Sequence, residues 1–321
     1  MHRREAMASV GARSWLGWLL GLAALAAVVI VATHLSEPRE FGRMLERAEP
    51  WWIAIALVLQ AGTYVSLAQV WRRTCSAAQE SLPLGAAMRI ALAKLFVDQT
   101  LPSGGISGSA LLVSALERRR ISRPLATANV VVEQASEYFA YAAGLAVALA
   151  IAAVEGRATA VVTVPAAVFV VITAGIGVAL IAMARARRVP DVPGLRRLAQ
   201  WLHGADRRLV CDGRLVATAT AWQLAVIGLD GLTMWSLLRA VGVHAPVGGT
   251  FASFMLASLA RTLSIMPAGL GVFEGVAVVM LHQLGISVTQ ALSAMLLFRG
   301  VSYWLPLLPG FIASRRLAIK S

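Results

Sequence analysis

A proline and glycine break inside an apolar run most constrains the fold of this sequence, and it occurs twice. The first break reads Leu-Pro-Ser-Gly-Gly around Pro102, and the second reads Met-Pro-Ala-Gly-Leu-Gly around Pro267. The breaks lie 165 positions apart, and the same offset aligns Tyr138 with Tyr303. A match at one fixed offset over about forty positions indicates an internal repeat. The sequence therefore predicts two copies of one unit, each with a helix break at its proline.

The amino-acid composition indicates whether these breaks lie in a soluble or a membrane protein. Hydrophobic residues make up 58% of the 321 residues and charged residues only 14%, and the mean hydropathy is +0.73. Soluble domains do not have this composition, so we predict an all-α integral membrane protein. The net charge of +13 could indicate a nucleic-acid partner. The basic residues cluster between apolar runs, however, where the positive-inside rule explains them, and we expect no nucleic acid to bind.

Six apolar runs are long enough to cross a bilayer as single helices. They are Trp15–Thr33, Trp51–Val70, Leu125–Val154, Ala158–Ala184, Leu215–Leu238 and Thr289–Ser314. Two further segments, 84–116 and 251–281, are divided by their prolines into pieces of about eighteen and about twelve residues. About twelve helical residues rise only about 18 Å, which is too short for about 30 Å of hydrocarbon. We therefore predict two re-entrant helical hairpins.

The distribution of arginine predicts the orientation in the membrane. With the N-terminus inside, the external segments before Trp51 and before Ala158 carry four arginines and the loop 241–249 carries none, whereas the cytosolic stretches carry most of the other loop arginines. The four are Arg39, Arg43, Arg47 and Arg157. Three crossings separate the hairpins, so the copies, about 84–154 and 251–314, would form an inverted repeat about an axis in the membrane plane. We expect one transmembrane domain over 1–321 in a prokaryotic plasma membrane, with both termini cytosolic.

The segment 185–214 is the largest predicted loop, and it alternates arginines with apolar residues. We interpret it as an amphipathic cytosolic linker on the anionic leaflet. The alternative is a plain basic loop that sets the topology. Trp71, near the end of a predicted span, is interpreted as an interfacial anchor.

Charged side chains within apolar segments are functional candidates because lipid offers them no favourable environment. The expected proton or charge relay comprises Asp98, Glu133, Glu137 and Asp230. The expected substrate-binding residues are Lys94, Gly104, Gly105, Arg261, Gly269, Gly271, Glu274 and Arg299. Lys94 and Asp98 are four residues apart, so we expect them to pair on one helix face.

A helix that restarts after a break points unpaired N–H groups at mid-membrane, where they favour a phosphate or carboxylate. Glycines let a ligand approach the backbone, and Arg261 and Arg299 offer guanidinium groups to a lipid phosphate. The alternative is that both arginines only form salt bridges with Glu133, Glu137 or Asp230 to hold the bundle. The sequence shows no metal spacing and no paired nucleophile and base, so we expect no metal, cofactor or enzymatic activity.

The residues around the second break resemble a known family. The stretch Leu-Ser-Ile-Met-Pro-Ala-Gly-Leu-Gly-Val-Phe-Glu-Gly begins at Leu263, and Gly-Ile-Ser at 285–287, Arg299 and Tyr-Trp-Leu-Pro at 303–306 follow. Together they resemble the transmembrane, flippase-like region of lysylphosphatidylglycerol synthases. The first copy resembles the Leu-Pro-Ser-Gly-Gly variant, but Ser109 stands where family members often have Glu.

The resemblance implies movement of an anionic or aminoacylated phospholipid, or a lipid-linked precursor, between leaflets. It further implies a stand-alone member without the soluble aminoacyl-transferase domain, since no segment of the sequence resembles that domain. No ATP-binding motif is evident, so transport would be downhill or coupled to ions. The alternative is a non-transporting partner that presents lipid to a separate synthase or glycosyltransferase. Membrane lipids and a lipid-modifying enzyme are the expected partners, and an intramembrane enzyme is the hypothesis with the least support.

Overall fold

A computed structural model of the chain describes residues 48–100, 105–156, 160–185, 201–202, 204–264 and 269–319, and these ranges contain helices but no strand. The helices are α1 (Pro50–Ala77), α2 (Leu84–Thr100), α3 (Ile106–Glu117), α4 (Arg123–Val154), α5 (Ala160–Arg185), α6 (Arg207–Cys211), α7 (Gly213–Ala240), α8 (Val247–Leu263), α9 (Val272–His282), α10 (Val288–Arg299) and α11 (Leu305–Ile319). Helices α1, α4, α5, α7 and the continuous α10–α11 are each long and apolar enough to span a membrane. The predicted class, a polytopic all-α membrane protein, is confirmed.

Five of the six predicted spans correspond to these long helices, and the first, Trp15–Thr33, lies outside the described residues. The last span differs from the prediction because a π-helical turn, Gly300–Trp304, joins α10 to α11. Pro306 has no N–H to donate to the carbonyl of Ser302, so the regular bonding pattern is interrupted there. Such turns are common at functional sites, and this one directly follows Arg299.

Two hydrophobic clusters lie at opposite ends of the bundle. The first joins the C-terminal ends of α1 and α5, the N-terminal ends of α4 and α7, and the helices α2, α3 and α6. The second joins the other ends of the same four long helices with α8, α9 and α10. The pairs α2–α3 and α8–α9 therefore pack against opposite ends of the long helices.

Each of these two pairs is a helical hairpin. In the first hairpin, α2–α3, Ala86 near the start of α2 and Arg119 just after α3 line the same pocket. In the second hairpin, α8–α9, a Cβ added at Gly249 near the start of α8 would lie 2.9 Å from Leu284, which follows α9. The open ends of each hairpin are thus adjacent, as an antiparallel pair requires.

Glycines with positive φ lie where the helices restart. Gly105 precedes α3 with a φ of +85°, and Gly269 and Gly271 precede α9 with φ values of +60° and +83°. L side chains are strained in this region of φ, which explains the glycines at both breaks. The predicted break residues Pro102 and Pro267, and Gly104 with them, lie outside the described residues.

The end of the 185–214 segment packs on the bundle. Leu202, Leu209 and Val210 are buried in the first hydrophobic cluster, whereas Arg207 and Arg208 are exposed. The segment is amphipathic here, as predicted. Its apolar residues are covered by protein, however, and do not face a leaflet, because α5, α4 and α7 meet beside α6.

Candidate functional site

The tip of the first hairpin carries a buried ion-pair network. Lys94 Nζ lies 2.9 Å from Asp98 Oδ2 and 3.2 Å from Glu133 Oε1, which is on α4. The expected pair of Lys94 and Asp98 is therefore present, with Glu133 as a second partner. Asp98 Oδ1 accepts a 3.0 Å hydrogen bond from the backbone N–H of Gly108, at the start of α3. One carboxylate thus neutralises Lys94 and also caps the restarted helix.

Trp71 belongs to this network, and its interpretation as an interfacial anchor was wrong. The side chain is fully buried, and its Nε1–H donates to Glu133 Oε2 at 3.0 Å. A buried carboxylate needs such donors in addition to its counter-ion. No sequence pattern indicated this contact, because Trp71 and Glu133 belong to different helices and are 62 positions apart.

The tip of the second hairpin carries an even more buried pair. Arg299 Nε donates to Glu274 Oε1, and Glu274 Oε2 accepts a 2.7 Å hydrogen bond from the N–H of Gly271. Glu274 is 0% exposed and Arg299 is 5% exposed. The Arg299 guanidinium also lies 4.7 Å from the ring centre of Phe273 and 5.6 Å from that of Tyr303.

These contacts change two points of the sequence interpretation. Arg299 forms an ion pair with Glu274, which was not among the partners named in the salt-bridge alternative. In addition, Asp98 and Glu274 already accept N–H groups at the starts of α3 and α9, so those positions are partly filled by the protein's own carboxylates. Glu274 is too buried to touch a head group in this structure. We expect Glu274 and Arg299 to position the hairpin.

Arg261 has a different environment, because it is only partly buried. It lies at the end of α8, and its Nη2 donates to the Tyr141 hydroxyl at 2.8 Å. Gly269 is needed beside it, since a Cβ there would overlap the Arg261 side chain. Arg261 also interacts electrostatically with Asp230 and Glu137. Of the expected arginines, Arg261 is therefore the one with accessible surface for a ligand.

Glu137 lies between the two hairpin tips. It is one turn of α4 away from Glu133, which pairs with Lys94 of the first hairpin, and one turn away from Tyr141, which is hydrogen-bonded to Arg261 of the second. Its carboxylate accepts a 3.0 Å hydrogen bond from Gln134. On the far side of Arg261, Asp230 accepts a 3.3 Å hydrogen bond from Gln60. Both carboxylates lie in the middle of long helices and keep some accessible surface.

The structure thus brings all the predicted charged residues into one group, which we call the mid-bundle charge cluster. Its members are Lys94, Asp98, Glu133, Glu137, Asp230, Arg261, Glu274 and Arg299. Three pockets of about 380, 460 and 470 Å³ lie away from it, and none of those three is lined by a cluster residue. Within the described ranges, no group of three or more His, Cys, Asp or Glu side chains is arranged to hold a metal ion.

The fold and the cluster define a polytopic membrane protein with two helical hairpins around buried charges. The family described as the lysylphosphatidylglycerol synthase TM region matches residues 18–310. The chain therefore belongs to this family, and its function relates to membrane lipids. An uncharacterised protein of Synechocystis sp. is 42% identical over 111 residues. That match covers 35% of this chain and 32% of the relative, so the aligned part amounts to about a third of either protein.

Proposed function

We propose that this protein is a flippase-like transporter, in which a phospholipid head group passes the mid-bundle charge cluster while its acyl chains stay in lipid. One observation carries the proposal: Glu137 lies on α4 midway between Glu133, which pairs with Lys94 of one hairpin, and Tyr141, which is hydrogen-bonded to Arg261 of the other. The hairpins themselves pack at opposite ends of the bundle. A head group at Glu137 is therefore adjacent to both tips. Irregular backbone at mid-membrane next to such a site is typical of secondary transporters.

The proposal includes an inverted repeat with re-entrant hairpins. The 165-residue offset between the breaks and the packing of the hairpins at opposite ends both support it. The excess of arginine in the predicted cytosolic loops supports cytosolic termini and a prokaryotic plasma membrane as the location. In this arrangement each hairpin opens to a different side, so the two tips meet near the bilayer centre.

The charge balance of the cluster favours an aminoacylated phospholipid over a simple anionic one. Five carboxylates face three cationic side chains. Arg261, with accessible surface, suits the lipid phosphate. Glu137 and Asp230 suit the ammonium groups of an aminoacyl head. Without a bound head group, protons on these two carboxylates would balance the excess, which makes them the proposed ion relay.

The test is lipid movement by the purified protein in liposomes that contain head-group-labelled lysylphosphatidylglycerol or phosphatidylglycerol. Arg261→Gln should slow movement about tenfold or more, because a charge-assisted hydrogen bond to phosphate contributes about 1.5 to 3 kcal/mol. Arg239→Gln is the matched control. Arg239 is also half-buried, but it lies outside the cluster. Its guanidinium carbon is 5.0 Å from the centre of the Trp235 ring.

The outcomes separate the candidate functions. The proposal is supported if lysylphosphatidylglycerol moves between the leaflets faster than phosphatidylglycerol does. This movement should be lost in Arg261→Gln and kept in Arg239→Gln. Lipid binding without movement, together with co-purification of a lipid-modifying enzyme, would favour the presenting partner instead. A chemically changed head group would show an enzyme and overturn the proposal.

A further inference from the structure

We infer that the chain has a second phospholipid site, outside the mid-bundle charge cluster, where α2, the end of α3 and α11 meet. A pocket of about 380 Å³ lies there. Its apolar lining comes from Ala86, Ile90, Ala313 and Leu317, and its polar lining comes from Arg89, Arg119 and Arg316. We call this the arginine pocket. Its occupant would be one anionic phospholipid, bound by its phosphate.

The three arginines come from three different elements and line one pocket. All three residues are exposed, and none of them forms an ion pair with a carboxylate in the part of the chain that the structure describes. Arg89 uses only Nε internally, in a 3.0 Å hydrogen bond to the Gly85 carbonyl. Three arginines that line one pocket and have no carboxylate partner there favour a phosphate, which accepts paired hydrogen bonds from guanidinium groups.

The walls of the pocket are held in place by a direct contact. Arg118 Nη1 donates to the carbonyl of Leu317, which joins the end of the first hairpin to the end of α11. Helices α2 and α11 also pack along each other. The arginine pocket is therefore a fixed junction between elements that are distant in sequence.

An apolar stripe on α11 identifies the ligand as a lipid and not a free phosphate. Leu305, Leu308 and Ile312 keep 51%, 70% and 51% of their surface exposed. Their spacing of three and four residues places them on one helix face, and Arg316 follows four residues later on that face. An acyl chain lying on this stripe would bring its phosphate to Arg316. Basic pockets between membrane helices bind anionic lipid head groups in this way.

The arginine pocket goes beyond the proposed function, because it requires lipid binding but not lipid movement. Photo-crosslinking tests it directly. The full chain is placed in phosphatidylcholine vesicles that contain a trace of phosphatidylglycerol with a diazirine on its acyl chain, and labelled peptides are mapped. We expect labelling of α11 along the stripe.

The variant Arg89→Gln/Arg119→Gln/Arg316→Gln should reduce that labelling about tenfold or more, since each arginine near the head group adds to binding. The matched control is Arg207→Gln/Arg208→Gln/Arg214→Gln, which removes three exposed arginines from the same end of the bundle. The control should label like the wild type. Replacing the three pocket arginines with lysine should give intermediate labelling, because lysine keeps the charge but not the paired hydrogen bonds.

Three results would overturn the arginine pocket: equal labelling of the pocket variant and the control, equal labelling by a phosphatidylcholine probe, or full displacement of the probe by inorganic phosphate. If the triple variant does not fold, the single Arg119→Gln variant carries the test, because Arg119 lies outside the helices. Normal labelling with failed lipid movement would leave this site standing and reject only the transport proposal.

Discussion

The two hairpins contribute opposite charges to the ion pairs that they form with the long helices. In the first, the hairpin supplies the cation, Lys94, and the long helix α4 supplies the carboxylate, Glu133. In the second, the hairpin supplies the carboxylate, Glu274, and the long helix α10 supplies the cation, Arg299. Both arrangements tie a hairpin to a long helix at mid-bundle. Each hairpin therefore forms an ion pair with a long helix, but the side that carries each charge is exchanged between the two hairpins.

The hairpins also cap their second helices differently. Glu274 caps α9 from within that helix, by accepting the N–H of Gly271. The 165-residue offset places Ser109 at the corresponding position of the first copy, and a serine cannot replace a carboxylate as an ion-pair partner. Asp98 reaches the N–H of Gly108 from the preceding helix α2 instead. In the first hairpin, α3 is thus capped by a residue of α2, on the other side of the break.

The two capping carboxylates also differ in their exposure to solvent. The Glu274 side chain is 0% exposed, whereas the Asp98 side chain is 25% exposed. A fully buried pair has no solvent to replace a lost partner, whereas a partly exposed carboxylate does. We conclude that the second hairpin is the more rigid anchor and the first is the more adaptable one.

Removing one cation from each hairpin tests this conclusion most strongly. Arg299→Gln should lower the free energy of unfolding by about 3 to 5 kcal/mol, because it leaves Glu274 buried without a counter-ion. Lys94→Gln should cost less, about 2 kcal/mol, because Glu133 keeps the Trp71 donor and Asp98 keeps the Gly108 N–H. Denaturant titration in micelles would measure both. Equal losses would contradict the difference in rigidity, and Arg299→Gln/Glu274→Gln should recover part of the stability.

A pair of glycine substitutions tests the difference in capping. A Cβ at Gly108 would overlap the Asp98 carboxylate, whereas a Cβ at Gly275 of α9 would meet nothing within 4 Å. Gly108→Ala should therefore destabilise the protein by about 1 to 2 kcal/mol. Gly275→Ala should stabilise it by about 0.5 to 1 kcal/mol, since alanine favours a helix interior over glycine. The midpoints of thermal unfolding would show shifts of opposite sign, and a neutral Gly108→Ala would reject the cap from Asp98.

The prediction with the smallest expected effect separates the two roles of Asp98, which pairs with Lys94 and also caps α3. Asp98→Asn keeps an oxygen for the Gly108 N–H but loses the charge, whereas Asp98→Ala loses both. The alanine variant should be less stable than the asparagine variant by about 1 kcal/mol, the usual value of a capping contact. Hydrogen exchange at the Gly108 amide is the direct measurement. The Gly108 amide should stay protected in Asp98→Asn and exchange fast in Asp98→Ala. Equal protection in the two variants would show that Asp98 does not cap α3.

The membrane class, the positions of the long helices and the candidate charges could be predicted from the amino-acid sequence alone. Hydropathy and helix length are local properties, so Trp51–Val70 and Leu215–Leu238 could be located without knowledge of their neighbours. The charges were recognisable because lipid penalises them wherever they occur in a span. The π-helical turn at Gly300–Trp304 was missed, although Pro306 was a signal for an interrupted hydrogen bond.

The pairing of these charges, in contrast, became clear only from the packing of the helices. Glu274 pairs with Arg299, Lys94 with Glu133, and Trp71 turns inward to the same carboxylate. These partners lie 25 to 62 positions apart, and their meeting depends on how each helix is rotated and how deeply it packs. The spacing of apolar and charged residues describes one helix at a time. It carries no information about how the neighbouring helix is rotated about its own axis. That rotation is set by the two hydrophobic clusters, which form only when all the helices are assembled.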